Sequence, residues 1–397
     1  MSYEIAATGL NAVNEQLDGI SNNIANAGTV GYKSMTTEFS AMYAGSQAMG
    51  VSVSGTAQSI SRGGSMVSTG NALDLAINND GFFVTCDSAG NVCYTRAGSF
   101  TTDKDGYIVN TSGDYLQGYP VDDSGTLQTG TVTDLQIQTG NIPAKATDSV
   151  SFGANFDASD EAIDTAAVPF DATNAASYND TYTTTVYDSL GNEHTVSQYF
   201  TKTADNTWQV HYSFDGETQS TTTELAFDSA GKLTSPTTPV ALSFDVPGAD
   251  PLTLTMDYGS CTQFGSEFAV STNSANGYAS AEQNGVQVDS DGKVYATYSN
   301  GERMLQGQVV LATFPNEDGL EAVSGTSWVQ TGESGTPLLG VPGSGACGTL
   351  STGMLEGSNV DITGELVALM SAQRNYQANT KVISTSTQLD QALFQAM

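Results

Sequence analysis

The sequence is poor in positive charge. Its 397 residues include 11 Lys plus Arg against 43 Asp plus Glu, so the formal net charge is −32. Nucleic-acid binding needs clustered Lys and Arg to neutralise phosphates, and anionic lipid attracts the same residue types. The composition therefore predicts that neither nucleic acid nor an anionic membrane surface is a partner.

Long hydrophobic runs are also lacking. The sequence contains no stretch of the roughly 20 consecutive apolar residues that a membrane-spanning helix requires. The first residues, MSYEIAATGLNAV, have neither a basic region nor a continuous apolar core, so we predict that they are not a cleavable secretory signal. We therefore expect no membrane insertion.

Histidine, the side chain that most often acts as a catalytic acid or base, is scarce. The 2 histidines, His194 and His211, lie in predicted strands, where a packing or surface role is the simplest interpretation. A Ser-His-Asp arrangement stays open from sequence, although no nucleophile elbow is present. Phosphate-binding glycine loops, dinucleotide fingerprints and zinc spacings are absent from the sequence. We predict that the protein is not an enzyme and has no catalytic, cofactor-binding or metal-binding residues.

The cysteines are few, and two of them flank a turn. Cys86 and Cys93 lie directly opposite each other if Ala89 and Gly90 form a two-residue turn, which would permit a disulfide. A three-residue turn ending at Gly90 instead places Cys86 opposite Val92 and breaks the match. The pair is therefore a candidate disulfide, and two free thiols are the alternative.

Apolar residues recur at heptad spacing at both ends of the sequence. The N-terminal set is Tyr3, Ala6, Leu10, Val13, Leu17, Ile20 and Ile24. The C-terminal set is Ile362, Leu366, Leu369 and Tyr376, followed after a phase shift by Val382, Leu389, Leu393 and Ala396. Ser358 followed by Asp361 predicts a capping box at the start of the second helix. Such stripes pack either on each other within one chain or between subunits, and both alternatives stay open.

One short turn recurs between the predicted helices. It has the form Asp-x-x-Gly, in which Asp binds nearby amides and Gly adopts positive φ. The turns begin at Asp87, Asp103, Asp122, Asp188, Asp228 and Asp289. Flanking segments such as TYTTTVY and GKVYATY are rich in residues that favour strands. The pattern predicts β-hairpins and an all-β middle region.

The negative charge is concentrated in the middle of the chain. Residues 146–272 carry 18 acidic against 2 basic residues, whereas residues 1–70 and 353–397 each carry 4 against 2. A nested layout accounts for this distribution, with the nearly neutral ends packed together and the acidic insert in solvent.

These patterns together predict a multidomain fold. The N- and C-terminal α-helices would form a coiled-coil-like terminal domain, joined to two mainly antiparallel β domains: a discontinuous β core and a β-sandwich or barrel insert. The predicted boundaries are 1–30 with 358–397 for the terminal helical domain, 31–70 for an extended connector, 71–145 with 273–357 for the β core, and 146–272 for the outer acidic β domain.

Several segments resemble the bacterial flagellar rod and hook protein family. They are NNIANAGTVGYK at 22–33, LDLAINNDGFF at 73–83, TRAGSFTTDKDGYIVNTSGDYLQGYP at 95–120, SNVD at 358–361 and ELVALMSAQRNYQANTKVISTSTQLDQALF at 365–394. The resemblance covers both ends and the β core, roughly half of the chain. The large acidic insert favours the hook members of the family over the shorter distal-rod members.

The resemblance implies a structural role in the flagellar hook. Hook subunits would polymerise into a curved, flexible tube that acts as a universal joint, transmits torque from rod to filament and encloses the export channel. The implied partners are copies of the same chain, distal rod proteins, hook–filament junction proteins, the hook cap and the flagellar type III export apparatus. The implied location is the extracellular hook and basal body, reached without a cleaved signal peptide.

The resemblance also assigns roles to residues. We expect the assembly helices to pack through Leu10, Val13, Leu17, Ile20, Ile24, Leu366, Leu369, Tyr376, Leu389 and Leu393. We expect the family signature residues Asn22, Asn23, Asn26, Gly31 and Tyr32 to shape the exit from the first helix. The alternatives are a distal rod subunit, or a secreted β-rich adhesin or enzyme with flagellar-type ends for export.

Overall fold

The chain folds into two compact units. The structure is a computed structural model that describes residues 2–44, 47–122 and 125–396. The first unit is drawn from residues 1–139, 284–297 and 303–397, and the second from 140–283 and 298–302. Within the described residues, none of the helices combines the length and apolarity needed to cross a membrane. The predicted fold class, terminal helices joined to mainly antiparallel β domains, is confirmed.

Two helices occupy the ends of the described chain. Helix α1 spans Ser2–Ala25 and helix α2 spans Ile362–Ala396. Asp361 caps α2, since its carboxylate accepts a hydrogen bond from the Thr363 amide at 3.1 Å. Ser358 instead binds the Val360 amide. The capping box predicted at Ser358 was therefore misplaced, because Asp361 itself is the capping residue.

The first unit also contains the β core. Its strands before the second unit are β1 Met35–Ala44, β2 Gln47–Gln58, β3 Met66–Ser68, β4 Leu75–Asn78, β5 Phe82–Cys86, β6 Val92–Thr95, β7 Phe100–Thr102, β8 Ile108–Asn110, β9 Tyr115–Pro120 and β10 Thr133–Asp134. The second unit contributes β11 Ser149–Asp157, β12 Asp180–Tyr187, β13 Glu193–Ala204, β14 Thr207–Phe214, β15 Glu217–Phe227, β16 Leu233–Ser235, β17 Val240–Phe244, β18 Leu252–Asp257, β19 Thr262–Phe264 and β20 Ala269–Ala275. The remaining strands are β21 Gln283–Val288, β22 Lys293–Tyr298, β23 Arg303–Val309, β24 Leu311–Thr313, β25 Glu321–Val323, β26 Ser327–Val329, β27 Leu338–Gly340, β28 Thr349–Thr352 and β29 Met354–Glu356.

The largest sheet joins strands from both sides of the inserted second unit. Its main order is β21-β22-β23-β9-β5-β6-β26-β25. Phe82, Tyr94, Phe314 and Trp328 pack edge to face beneath it and form its aromatic core. Two short ladders, β28 with β4 and β29 with β3, tie the segment before α2 to the segment after β2. The two ends of the chain therefore meet at the β core.

The segment predicted as an extended connector folds instead into a hairpin. Strands β1 and β2 pair only with each other among the described residues, from Met35 opposite Gln58 to Ala44 opposite Gln47. The hairpin lies along α1, where Thr8 accepts a hydrogen bond from the Val51 amide at 3.4 Å. Its Ser, Thr, Gly and Met residues lack clean alternation because both faces are largely exposed, which explains why the periodicity gave no strand signal.

The recurring Asp-x-x-Gly turns are confirmed. In each of the six, the Gly amide donates to the Asp carbonyl at 2.9 to 3.2 Å. At the turn from Asp188 to Gly191, the Asp carboxylate also accepts the Leu190 and Asn192 amides, and Gly191 has φ +85°. Aspartate thus satisfies the amides that the reversal leaves unpaired, and glycine supplies the left-handed residue.

The second unit is a β-sandwich. One sheet has the order β12-β13-β14-β15-β16, and the other has the order β17-β18-β11-β19, with β20 also paired to β11. Trp208, Phe200 and Phe156 are fully buried between the sheets, and ring centroids of Phe156 and Trp208 are 5.1 Å apart. Several buried polar atoms are paired within this core, as in the Tyr258 hydroxyl that donates to Gln198 at 2.7 Å.

The candidate disulfide is not formed. Strand β5 pairs with β6 so that Cys86 lies opposite Val92 and Cys93 lies opposite Thr85. This is the register of the longer turn, and the one-residue offset places the two cysteines on opposite faces of the sheet. All four cysteines are described, and all are free thiols.

Candidate assembly site

The terminal helices pack against each other within the chain. Val13 and Ile20 of α1 and Ala372 of α2 are buried together. Leu17, Ile24, Ala368 and Leu369 are half-buried around them. Gly9 allows close approach, since a Cβ there would lie 2.9 Å from the Asn379 side chain. Of the predicted packing residues, the N-terminal stripe and Leu369 therefore form an intramolecular helix pair, with Leu10 half-buried beside it.

The structure leaves other predicted packing residues uncovered. Leu366 is 47% exposed, Tyr376 38% and Leu389 66%. Leu393 lies in α2, but its side chain falls outside the described residues. The single stripe predicted for α2 thus divides into one part that contacts α1 and another that contacts solvent.

The uncovered part of α2 extends beyond the predicted stripe. Ile362, Leu366 and Met370 follow one another at intervals of one helical turn, and Val367 lies beside them. Each of these four side chains is about half exposed. We call this set the free face of α2. The heptad analysis missed Val367 and Met370 because it followed one stripe, whereas the signal for a second face is the i, i+4 spacing.

The signature residue Asn23 organises the exit from α1. Its side-chain oxygen accepts the Met35 amide at 2.8 Å, and its nitrogen donates to the Met35 carbonyl and to Glu365 of α2 at 2.8 Å each. The Tyr32 hydroxyl donates to the same Asn23 oxygen at 3.2 Å. One buried amide thus joins α1, the start of β1 and the first turn of α2.

The other signature residues shape the turn itself. Asn26 donates to the Asn22 carbonyl at 3.0 Å and to its side-chain oxygen at 2.8 Å, and it accepts from Thr29. Gly31 has φ +70°, and a Cβ there would lie 2.6 Å from the Ala97 backbone nitrogen. Its amide donates to the Glu356 carbonyl at 2.8 Å. Only glycine fits this position, because both the space and the backbone conformation exclude a side chain.

A buried ionic cluster lies directly after this turn. The Lys33 ammonium is 2.7 Å from Glu356 Oε1, and both side chains are 1% exposed. Arg96, at 3% exposed, places a guanidinium nitrogen 3.6 Å from Glu356 Oε2. Sequence reasoning missed this cluster because Lys33 and Glu356 are 323 positions apart. Lys33 nevertheless ends one segment that carries the family resemblance, and Glu356 lies two residues before another.

Burial shifts the protonation of two groups at this junction. It lowers the pKa of the Lys33 ammonium, while the charge and hydrogen bond of Glu356 act in the opposite direction. Burial also raises the pKa of the Tyr32 phenol, and the charge of Glu365 adds to the shift. Tyr32 therefore keeps its proton at neutral pH and donates it to Asn23.

An apolar groove of about 560 Å³ lies between α1, α2 and the hairpin. Ile5, Ala12 and Phe39 line it together with Val51 and Ala378. Within the part of the chain that the structure describes, no group of three or more His, Cys, Asp or Glu side chains could hold a metal ion. The arrangement is one of packing surfaces and buried anchors.

Four family models match separate segments of the chain. Residues 4–33 match the family described as flagella basal body rod protein, and residues 351–396 match the flagellar basal body rod FlgEFG protein C-terminal family. Residues 76–155 match the flagellar hook protein FlgE/F/G D1 domain, and residues 155–278 match the flagellar basal body protein FlaE D2 domain. Both helices, the first part of the β core and the sandwich therefore fall in segments that match flagellar rod and hook protein families.

Full-length relatives narrow the assignment. The chain is 40% identical over 398 residues to the flagellar hook protein FlgE of Escherichia coli (strain K12), with 98% of each chain covered. It is 36% identical over 408 residues to the flagellar hook protein FlgE of Rhizobium meliloti (strain 1021), with 97% of this chain and 96% of the relative covered. The chain belongs to the flagellar hook protein FlgE family. It is accordingly a structural protein of the bacterial flagellar hook.

A solved hook protein shares the fold. The flagellar hook protein FlgE2 of Helicobacter pylori superimposes with a TM-score of 0.54 at 15% identity, covering 72% of this chain and 98% of that one.

The buried cluster draws one residue from each of three matched segments: Lys33 from 4–33, Arg96 from 76–155 and Glu356 from 351–396. The junction is thus built where three family segments meet.

Proposed function

We propose that the chain polymerises with copies of itself through its terminal helices to form the wall of the hook. The polymer is a curved, flexible tube that encloses the export channel and transmits torque from rod to filament as a universal joint. The observation that carries this proposal is the free face of α2, which remains exposed after α1 and α2 have paired.

The free face is suited to contact a second subunit. Its four apolar side chains are 47 to 55% exposed. Covering the remaining surface of each contributes about 1 kcal/mol, since a fully buried Leu or Ile contributes roughly 1.5–3 kcal/mol. This face differs from the one that α1 covers, so a neighbour contacts the pair on a new side. Contacts between unlike surfaces propagate into an open helical assembly when the rotation between neighbours does not close a ring.

The charge distribution supports a layered polymer. We propose that the terminal helices form the inner tube. The segments that contain them, 1–70 and 353–397, each carry 4 acidic against 2 basic residues. The acidic segment 146–272, with 18 acidic against 2 basic residues, would form the solvent-facing surface. Subunits packed through the acidic segment would repel one another, whereas nearly neutral ends avoid this cost.

The partners follow from the same proposal. The tube continues from the distal rod proteins and ends at the hook–filament junction proteins, and it grows beneath the hook cap. Subunits reach the tip through the flagellar type III export apparatus. The small intramolecular core of the helix pair supports this route, because helices with little buried surface unfold readily before neighbours cover them.

Charge substitution on the free face tests the proposal. Purified Leu366→Asp and Met370→Asp chains would be compared with wild type and with Asn11→Asp, which adds one negative charge at an exposed polar position of α1. Electron microscopy at high protein and salt concentration should show short curved tubes for wild type and Asn11→Asp, and monomers for the two free-face variants. Matched circular dichroism melting curves would show that the monomers are intact.

Two results would count against the proposal. One is a wild-type chain that stays monomeric under all of these conditions. The other is a Leu366→Asp chain whose tubes match those of wild type in number and curvature.

A further inference from the structure

The chain passes twice through one small buried region of the first unit. On the way out of α1 it crosses this region at Lys33, and on the way back to α2 it crosses it at Glu356 and Asn359. Glu356 is 1% exposed and Asn359 is 9% exposed, so both side chains are removed from solvent. Polar residues at such depth call for partners, and each of them has several.

Glu356 is the centre of the region. One carboxylate oxygen accepts the Lys33 ammonium at 2.7 Å and the Gly64 amide at 2.9 Å. The other oxygen faces an Arg96 guanidinium nitrogen at 3.6 Å, an ion-pair contact without a hydrogen bond, and Arg96 donates to the Asn79 carbonyl at 2.8 Å. The carboxylate thus contacts the α1 exit, the loop after β2 and the segment after β6.

Asn359 forms a second set of bonds beside the carboxylate. Its oxygen accepts the Ser34 amide at 2.7 Å, and its nitrogen donates to the Ser59 and Arg62 carbonyls at 3.0 and 2.8 Å. The Lys33 ammonium donates to the same Arg62 carbonyl at 2.8 Å. Asn359 precedes α2 by three residues, so these bonds fix where that helix begins.

Stability alone does not explain charges in this position. Removing two cations and a carboxylate from water is costly, and apolar residues of similar size commonly stabilise a core at least as well. An ion cluster instead fixes the relative positions of its members, because each charged group pairs only with partners at defined distances and directions. The cluster therefore specifies one relative placement of the segments that it joins.

We propose that Lys33, Glu356 and Arg96 form a clamp that holds the start of both terminal-helix connections rigidly on the β core. The connections at 26–34 and 355–361 therefore do not bend under load. Force applied to α1 or α2 reaches the β core through the clamp. The clamp is a property of the single chain; only its role in carrying torque rests on the proposed function. Lys33, Glu356 and Arg96 are positioning residues in this account.

Hydrogen exchange of the full-length monomer tests the clamp directly. Glu356→Gln keeps the shape of the side chain but leaves two buried cations facing a neutral amide. Lys104→Met is the matched control, because Lys104 and Asp105 are also 2.7 Å apart but are 86% and 56% exposed. We expect amide exchange in 26–34 and 355–361 to rise on the order of 100-fold in Glu356→Gln. We expect less than a roughly threefold change in Lys104→Met.

Conservative and milder variants keep the result interpretable. Lys33→Arg retains the positive charge and should restore most of the protection that Lys33→Met loses. If Glu356→Gln fails to fold, amide exchange in Lys33→Met and Lys33→Arg tests the clamp in its place. In both of these variants Glu356 still has Arg96 as an ion-pair partner. Unchanged exchange in the clamp variants overturns the proposal. So does a uniform rise across all strands of the first unit, which would indicate a general stabilising role.

Twist stiffness of assembled tubes gives a separate measurement. Tubes of Glu356→Gln should form, because the free face of α2 is intact, but their resistance to twisting by an attached rotating bead should fall severalfold. Equal stiffness in variant and wild-type tubes would remove the torque-bearing role. Failure of the wild-type chain to form tubes would defeat the proposed function, while the exchange result in the monomer would still decide the clamp.

Discussion

The sandwich of the second unit and the pair of terminal helices solve burial in opposite ways. The sandwich encloses Trp208, Phe156 and Phe200 completely between two sheets. The helix pair buries Val13, Ile20 and Ala372 but leaves the free face of α2 about half exposed. The first region encloses its aromatic core within the chain, whereas the second leaves a row of apolar side chains exposed along one helix.

The two regions obtain their stability from different sources. A closed apolar core makes a domain stable before assembly, because the hydrophobic contribution is complete in the monomer. A helix pair with a narrow core gains much of its stability only when other subunits pack on it. Substitutions in the two regions should therefore have different effects on the monomer and on assembly.

The largest effect is expected in the sandwich core. Phe156→Ala removes a ring that contacts Phe200 and Trp208, so it should lower the free energy of unfolding of the second unit by about 3–5 kcal/mol. The chain has 2 tryptophans, Trp208 and Trp328, so a Trp328→Phe background leaves Trp208 as the only fluorescence reporter. Urea titration of Trp208 emission measures the change. A loss below about 1 kcal/mol would contradict a closed core.

A smaller effect is expected in the helix pair. Leu17 is half-buried against α2, so Leu17→Ala should cost about 1–2 kcal/mol of pairing free energy. The loss should raise amide exchange in α1 and α2 while the Trp208 midpoint in urea stays fixed. A shift of that midpoint would show that the two regions do not respond independently.

A pH-dependent effect should be confined to the sandwich. Burial alone would lower the pKa of His194, but hydrogen bonds with Asp215 at 2.6 Å and Asp188 at 3.4 Å raise it above its ordinary value of 6.5. The resulting stabilisation is fully present below pH 6.5 and is lost as pH rises through the native pKa.

The measurement is urea unfolding of Trp208 across that range. His194→Asn should flatten the pH dependence and leave α-helical exchange unchanged. A wild-type midpoint that rises with pH through this window, under otherwise equal conditions, would have the wrong sign for the proposed interaction.

The smallest monomer effect is expected on the free face. Leu366→Ala should lower the stability of the monomer by no more than about 1 kcal/mol, because the side chain is 47% exposed. It should nevertheless raise the protein concentration needed for tube formation severalfold. Sedimentation at a series of concentrations measures this, and Asn11→Ala serves as the control on a polar position. Equal thresholds would remove Leu366 from the assembly surface.

Local sequence patterns predicted much of the fold. Heptad spacing predicted both helices, and the Asp-x-x-Gly turns predicted the hairpins, because both signals depend on neighbouring residues alone. The hairpin β1–β2 gave no such signal, since strands exposed on both faces have no apolar side to alternate. The turn between Cys86 and Cys93 was ambiguous by one residue, and that residue decided whether a disulfide could form.

The candidate site was less accessible to sequence reasoning. The signature residue Asn23 was identified, but its contact with Glu365 spans 342 positions and no local pattern encodes it. The cluster of Lys33, Arg96 and Glu356 depends on three segments that only the folded chain brings together. The free face of α2 was identified only in part. The heptad stripe included Ile362 and Leu366 but not Val367 and Met370, which lie on a second face of the same helix.

Amide hydrogen exchange, compared segment by segment between the monomer and the assembled tube, measures whether neighbouring subunits cover the terminal helices. If the terminal helices are completed by neighbouring subunits, residues 362–376 should exchange at least about tenfold more slowly in the tube. The buried strands β13 and β14 of the sandwich should keep the rates of the monomer. Unchanged exchange in 362–376, or protection gained mainly in β13 and β14, would contradict the account.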